Sequence, residues 1–299
     1  MKIEQGQVAV VTGAGSGIGQ ATAVLLASRG VVVALADINE SGMAETARRI
    51  AKTGSHSSQH VVDVGNRKQM EAFARSVESA HQRVDIVINN AGIGILEDFV
   101  DNSLDEFQKV VDVNLWGVVY GAKLFLPLMR RQGSGHIVNI SSLAGIISTP
   151  GMVSYGTTKY AVRGFSESLR IELAEYGIGV TSVHPGLIGT NILKVNRSAD
   201  ARLHERLIEW FDRWGRPPEL VARKLVRGIE RNRMRVLVTP ETYVMDFAKR
   251  MVPATAERLS GFVLERIKLA GNPDYRADRE KRRTAQRPDP AAANRQTGS

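Results

Sequence analysis

The chain has 299 residues, of which 40 are Lys or Arg and 31 are Asp or Glu, so its net charge is +9. With 43% hydrophobic and 24% charged residues, it is not a wholly disordered chain. The absence of cysteine excludes a disulfide framework, a thiolate metal site and a cysteine nucleophile. The sequence has neither a signal-peptide core nor a run of 18 apolar residues, so we expect a soluble, cytoplasmic protein.

Short β-branched runs alternate with longer amphipathic stretches in the first 240 residues. Such alternation indicates a parallel sheet covered by helices on both faces. We therefore predict an α/β fold with a doubly wound parallel sheet of seven strands (Rossmann fold), which binds ligands at the carboxyl ends of its strands. The predicted strands are Val8–Thr12, Val31–Asp37, Gln59–Val62, Val84–Asn89, His136–Ser141, Val180–His184 and Arg235–Val238. The predicted helices between them include Asn66–Ala80, Ser103–Arg130 and Ser154–Tyr176.

The first predicted strand runs into a glycine-rich loop that opens the first helix. Gly13, Gly17 and Gly19 follow a G-x-x-x-G-x-G spacing rather than the commoner G-x-G-x-x-G, with Ser16 and Ile18 between them. Glycines permit a tight turn and a close approach of the backbone to a ligand. The free amides and the dipole of a helix N-terminus then favour a pyrophosphate. This loop therefore predicts a dinucleotide site.

Asp37 closes the second predicted strand, 18 residues beyond Gly19. A carboxylate in that place accepts hydrogen bonds from the adenosine ribose diol and repels a 2′-phosphate. Its neighbours Ile38 and Asn39 and the loop residue Ser16 carry no positive charge. These residues favour NAD(H) over NADP(H), although an aspartate that only capped the next helix would leave the choice open.

Tyr155 and Lys159 are four residues apart, which places both side chains on one face of a predicted helix. An adjacent ammonium group lowers the pKa of a phenol and makes it a better base. Such a pair is common on exposed helices, so its companions matter. Ser142 follows the fifth predicted strand, Asn89-Asn90-Ala91-Gly92 ends the fourth, and Asn114 lies inside the helix between them.

In these features the sequence resembles the compact form of the short-chain dehydrogenase/reductase (SDR) family over about residues 5–240. Asp63-Val64 and Pro185-Gly186 complete the matching motifs. The resemblance implies a catalytic tetrad of Asn114, Ser142, Tyr155 and Lys159. Tyr155 would exchange a proton with the substrate hydroxyl, and Ser142 would polarise the substrate oxygen. Lys159 would lower the tyrosine pKa and bridge the nicotinamide ribose, and Asn114 would hold a water that relays protons to Lys159.

The resemblance also implies which residues bind the cofactor, NAD. Besides Tyr155 and Lys159 they are Gly13, Ser16, Gly17, Ile18, Gly19, Asp37, Asp63, Val64, Asn90, Ala91, Gly92, Pro185, Gly186, Ile188 and Thr190. Asp63 and Val64 would hold the adenine, and the segment 185–190 would flank the nicotinamide. The six histidines show no ligand spacing, so no metal is expected.

Apolar residues predominate where the substrate is expected. They are Ile93, Ile95, Leu96, Leu143, Ile146, Ile147, Met152 and Val153, with a predicted lid of Ile192, Leu193, Leu203, Leu207, Trp210, Phe211 and Trp214. These residues favour a lipophilic alcohol or ketone, although an aromatic stripe at helical spacing is also typical of core packing or a subunit contact.

The last third of the chain carries the positive charge, with 24 basic and 14 acidic residues from position 191 onward against 16 and 17 before it. We predict mobile helices over 191–214, a helix over Pro217–Arg231 and a helical stretch over Thr242–Leu269 with a kink at Pro253. The polar tail from Asn272 is expected to be disordered. The chain then divides into one domain (1–240), a helical extension (241–271) and a basic tail (272–299).

These observations predict an NAD(H)-dependent oxidoreductase that interconverts a secondary alcohol and its ketone, acting as a homo-oligomer (a dimer or a tetramer) as the family implies. One alternative is an NADPH-dependent 3-oxoacyl reductase whose basic third docks an acidic carrier protein or coenzyme A. Another is a cofactor-binding scaffold that acts through its basic extension. Nucleic-acid binding is not expected. The apolar stripe of Leu259, Phe262, Val263 and Ile267 is expected to pack on the chain or a subunit rather than on a membrane.

Overall fold

A computed structural model describes residues 1–190, 205, 209 and 213–271. Seven parallel strands form one sheet in the order β3-β2-β1-β4-β5-β6-β7. The predicted strands are confirmed, with ends that shift by one or two residues. They are β1 (Val8–Thr12), β2 (Val32–Asp37), β3 (Ser57–Val61), β4 (Ile86–Asn89), β5 (Gly135–Ile140), β6 (Ile178–His184) and β7 (Arg235–Leu237).

Helices cover both faces of the sheet, as the continuous apolar strands predicted. In chain order they are α1 (Gly17–Ala27), α2 (Glu40–Ala51), α3 (Arg67–His81), α4 (Leu104–Val111), α5 (Gly117–Gln132), α6 (Val153–Leu173), α7 (Pro218–Glu230), α8 (Pro240–Met251) and α9 (Pro253–Gly271). A π turn (Asp112–Trp116) joins α4 to α5, so the single helix predicted over 103–130 is interrupted. Short 3₁₀ turns lie at Leu143–Gly145 and Ala174–Tyr176.

Two apolar layers hold the helices against the sheet. One layer includes Leu26 of α1, Leu35 of β2 and Leu225 of α7, all fully buried. The other includes Phe73 of α3 and Phe125 of α5, whose rings meet edge to face with centroids 5.7 Å apart. The sheet is therefore a rigid platform from which the loops at its carboxyl edge project.

The strand order reverses next to β1, which pairs with β2 on one side and with β4 on the other. The chain leaving β1 and the chain leaving β4 therefore turn to opposite faces of the sheet and open a crevice between them. In doubly wound folds this is where ligands bind.

The C-terminal helices differ in detail from the prediction. α8 ends at Met251, Val252 leaves the helical conformation, and Pro253 starts α9, so the predicted kink is a break between two helices. Proline has no N–H to continue the bonding of α8 but is well suited to a first helical turn. Most of the segment 191–214, where mobile helices were predicted, and the tail from Asn272 lie outside the described residues. Within the part of the chain that the structure describes, no helix has both the length and the apolarity to cross a bilayer.

Candidate active site

An open cleft of about 1810 Å³ lies at the carboxyl ends of β1, β2, β4, β5 and β6. Pockets for drug-sized ligands usually measure about 300–1,000 Å³, so this cleft has room for a dinucleotide and a second molecule. All of the site residues expected from the sequence line the cleft except Gly19 and Asn114. Those two are buried behind its wall.

The glycine loop is built for close backbone approach. Gly13 and Gly17 have φ of +64° and +54°, a conformation that disfavours residues with a Cβ. A Cβ on Gly19 would lie 2.0 Å from the carbonyl oxygen of Gly13. At the start of α1, Ser16 makes no side-chain cap and the first turn has no acidic residue. The amides of this helix end are therefore available to an anion, which fits the pyrophosphate of a dinucleotide.

The end of β4 is fastened to this loop. The Asn90 side chain donates to the carbonyl oxygens of Thr12 and Gly13 at 3.0 and 3.1 Å. The Thr12 hydroxyl accepts from the main-chain N–H groups of Asn90 and Ala91 at 3.0 and 3.2 Å. The Asn-Ala-Gly segment therefore positions the two sides of the crevice relative to each other.

Asp37 lines the cleft at the end of β2. Its carboxylate accepts from the main-chain N–H of Gly15 at 2.8 Å and from that of Asn39 at 2.9 Å. It thus supports the glycine loop and places a carboxylate at the cleft wall. The next side chain, Ile38, is 69% exposed and uncharged.

Tyr155 and Ser142 meet on the floor of the cleft. Ser142 has extended backbone at the start of the 3₁₀ turn, and its hydroxyl oxygen accepts from the N–H of Ala144 at 3.1 Å. Burial raises the pKa of the Tyr155 phenol, and a hydrogen bond from Ser142 opposes that rise.

Lys159 lies one helical turn after Tyr155 on α6 and is almost completely buried. Its Nζ donates to the carbonyl oxygen of Ile140 at 2.9 Å and lies 5.5 Å from the centre of the Tyr155 ring. Burial lowers its pKa from 10.5 to about 8. The amino group therefore loses its proton more readily than that of a free lysine but is still mostly charged at pH 7.

Asn114 occupies the π turn, a distortion that is frequent at functional sites. Its Oδ1 accepts from the N–H of Ile93, and its Nδ2 donates to the carbonyl oxygen of Ile93, both at 2.8 Å. Nδ2 also lies 3.2 Å from the Thr158 hydroxyl. Both amide hydrogens of the side chain therefore have protein acceptors. The relay role expected of Asn114 stays a prediction. Asn114 ties the segment after β4 to α6.

His184 supports Ser142 from the buried side. Its Nδ1 lies 3.2 Å from the Ser142 carbonyl oxygen, and its Nε2 lies 3.0 Å from the Ser182 hydroxyl. Burial lowers its pKa to about 3, so the ring is neutral near pH 7. Burial likewise lowers the pKa of His136 to about 3. Within the described residues, no cluster of histidine and acidic side chains is arranged to hold a metal.

The part of the cleft where the substrate was expected is largely apolar. Of the residues expected there, Ile93, Ile95, Leu96, Leu143, Ile147, Met152 and Trp214 line it. The prediction was wrong for two others, because Ile146 is fully buried in the interior and Val153 is outside the cleft at the start of α6. The remaining predicted lid residues (Ile192, Leu193, Leu203, Leu207, Trp210 and Phe211) lie outside the described residues.

Some residues of this region were not predicted from the sequence. Thr158 contacts Asn114, and Glu241, Met245 and Leu259 line the cleft from α8 and α9. Thr158 precedes Lys159 in the chain, but nothing in its local pattern marks it. The other three belong to the extension, about which the family resemblance says nothing.

Comparisons with known proteins agree with this geometry. The family model for short chain dehydrogenases matches residues 7–201. A Mycobacterium tuberculosis protein named SadH, assigned as an oxidoreductase, is 39% identical over 259 residues, which is 85% of this chain and 94% of that protein. The chain therefore belongs to the short-chain dehydrogenase/reductase family and is an oxidoreductase of that family.

Solved structures of this family superpose well on the chain. An SDR from Burkholderia phymatum in complex with NAD has a TM-score of 0.78 at 30% identity, covering 84% of this chain and 95% of its own. A metagenomic short-chain oxidoreductase in complex with NADP has a TM-score of 0.67 at 29% identity, covering 80% and 99%. Both nicotinamide dinucleotides therefore occur among similar structures.

Proposed function

We propose that this protein is an NAD(H)-dependent oxidoreductase that interconverts a lipophilic secondary alcohol and its ketone. The observation that carries the proposal is the arrangement of Tyr155, Ser142 and Lys159. The Tyr155 phenol is buried on the floor of the cleft, with the Ser142 hydroxyl within hydrogen-bonding reach and the Lys159 amino group beside its ring.

The bound dinucleotide would supply the hydride acceptor or donor. Ser142 would donate a hydrogen bond to the substrate oxygen and stabilise the negative charge that develops there. Tyr155 would take the hydroxyl proton in oxidation and return it in reduction. Asn114 and His184 would maintain this geometry through Ile93, Thr158 and the Ser142 main chain, without touching the substrate.

Lys159 supports the phenolate form that oxidation requires. Burial alone raises the pKa of Tyr155, so the phenol needs a positive charge nearby to lose its proton near neutral pH. With a pKa of about 8, Lys159 is mostly an ammonium at pH 7. We therefore expect alcohol oxidation to depend on this residue even though it does not touch the substrate oxygen.

The preference for NAD(H) is proposed from Asp37. Its carboxylate lines the cleft, and with the adenosine ribose bound beside it a 2′-phosphate would meet like charge. The side chains that follow it, Ile38 and Asn39, offer no compensating cation. The NAD complex of the Burkholderia relative is consistent with this choice.

A substrate screen with a matched pair of tyrosine variants tests the proposal. Secondary alcohols and ketones of graded hydrophobicity are followed by NADH absorbance, with NADPH run in parallel. Tyr155→Phe is expected to lower kcat by about 10²–10⁴-fold while NADH still binds. Tyr243→Phe is the control because Tyr243 is half exposed on α8 and does not line the cleft. Full oxidation activity of Tyr155→Phe, or a clear preference for NADPH, would contradict the proposal.

A further inference from the structure

We infer that the C-terminal helices α8 and α9 form the outer wall of the substrate end of the cleft, and that Met245 and Leu259 select substrates with a long apolar substituent. The inference rests on the proposed function, because it concerns the substrate of the same site. Both residues lie beyond position 201, where the match to the family model ends.

α8 presents one of its faces to the cleft. Glu241 and Met245, one turn apart, both line it. Other faces of the helix point elsewhere, since Thr242 and Asp246 are buried, whereas Phe247 and Met251 are 67% and 65% exposed. The helix thus contains two methionines in contrasting places, one at the cleft and one in solvent.

Glu241 fastens the start of α8 to the segment beside the proposed nicotinamide position. Its carboxylate accepts from the main-chain N–H of Leu187 at 2.9 Å. A Cβ on Gly186 would lie only 2.3 Å from the same carboxylate oxygen. The Glu241 carboxylate therefore packs against the backbone at a distance that a side chain at position 186 would prevent.

Glu257 fastens α9 to the loop that follows the 3₁₀ turn. Its carboxylate accepts from the main-chain N–H of Ser148 at 3.2 Å and forms an ion pair with Lys249 of α8. The Tyr160 hydroxyl donates to the carbonyl oxygen of Ile146 at 2.5 Å in the same loop. One side of this loop is thus held by α6 and the other by the extension.

These attachments determine what the extension offers to a substrate. Three residues of the extension line the cleft, and one of them, Glu241, accepts a hydrogen bond from the main chain. The other two contribute the Met245 thioether and the Leu259 isobutyl group. Ile147 and Met152 line the same cleft from the loop that Glu257 holds. An apolar chain on the carbinol carbon would lie between these two surfaces and be shielded from water.

Kinetics with 2-butanol and 2-decanol and NAD test the selection. Met245→Ala and Leu259→Ala should each lower kcat/KM for 2-decanol by about 10-fold, mainly through KM, and leave 2-butanol close to wild type. Met251→Ala is the matched control and should change neither substrate. If Met245→Ala and Met251→Ala act alike, or if both alcohols lose equally, the inference is overturned.

Hydrogen exchange tests the attachment without using activity. Glu257→Ala should speed exchange of the Ser148 amide by about 10-fold, because that amide loses a charged acceptor. Glu257→Gln keeps an acceptor oxygen and should restore most of the protection. The neighbouring Arg258→Ala should leave Ser148 unchanged. If the Ser148 amide exchanges at the wild-type rate in Glu257→Ala, the attachment is overturned. A wild-type protein that oxidises no alcohol would instead overturn the proposed function, and the exchange measurement would still be valid.

Discussion

Lys159 gives the sharpest test of how the active site is organised. Its burial disfavours the charged form that the amino group carries at pH 7, so this charge opposes folding. Its pKa falls from 10.5 in the unfolded chain to about 8 in the folded protein. A shift of that size means that the charged form costs about 3 kcal/mol of folding free energy at pH 7. Lys159→Met removes this cost.

The substitution also removes a hydrogen bond. The carbonyl oxygen of Ile140 loses the Nζ donor at 2.9 Å, which costs about 1–3 kcal/mol. At pH 7 the variant without ligand should therefore range from equal to wild type to about 2 kcal/mol more stable. Its activity should nevertheless fall by about 100-fold or more, since Tyr155 loses the charge that favours its phenolate.

The pH dependence separates this mechanism from a packing effect. Between about pH 8 and pH 10.5 the unfolded state binds more protons at Lys159 than the folded state does, so wild-type stability rises with pH there relative to Lys159→Met. Urea denaturation should show the free-energy difference between the two proteins changing by about 2 kcal/mol between pH 7 and pH 10 in favour of wild type. Lys224→Met is the control, because Nζ of the half-buried Lys224 also donates to a main-chain carbonyl, that of Val238. A difference between Lys159→Met and wild type that does not vary with pH would refute this reasoning.

Three further predictions concern cofactor choice, acid stability and packing. Asp37→Ser should reduce the preference for NADH over NADPH by about 10-fold or more in dissociation constants, because a like-charge repulsion is removed. His184 takes up a proton near pH 6.5 in the unfolded chain but only near pH 3 in the folded protein. Its contribution to the free energy of unfolding should therefore fall by about 2 kcal/mol between pH 7 and pH 5, and urea titrations should show a smaller loss of stability for His184→Gln. Gly121→Ala should destabilise the protein by about 3 kcal/mol or abolish folding, since its Cβ would lie 1.9 Å from the buried Asn89 Oδ1. Gly164→Ala is the matched control, because its Cβ would point into open space on α6, and it should stabilise the protein by about 0.5–1 kcal/mol.

Each of these predictions has an outcome that contradicts it. An unchanged ratio of NADH to NADPH affinity in Asp37→Ser would place the adenosine ribose away from that carboxylate. Equal acid sensitivity of wild type and His184→Gln would mean that the ring is protonated in the fold. Thermal denaturation of Gly121→Ala at the temperature of Gly164→Ala would mean that α5 can move away from β4 at little cost.

The strands, the glycine loop and the spacing of Tyr155 and Lys159 were predictable because each is a local pattern. A parallel strand buried on both faces appears as a run of β-branched residues, and a helix that begins on a phosphate-binding turn needs glycines at its start. Two side chains four residues apart share a helical face in any fold. Ends of elements shifted by one or two residues because hydrogen bonding, rather than hydropathy, determines where they stop.

The contacts that complete the site join residues that are distant in the chain, and no local pattern encodes them. Asn114 reaches Thr158 across 44 residues, Leu187 reaches Glu241 across 54, and Ser148 reaches Glu257 across 109. The hydrogen-bond partner that an amide or a carboxylate contacts depends on how the helices pack against the sheet. Sequence alone therefore determined the architecture and the reactive groups of this protein. Only its tertiary structure decided that the buried Asn114 links the segment after β4 to α6, and that the extension lines the cleft. The reason is that hydrogen-bond partners are selected by distance in space and not by separation along the chain.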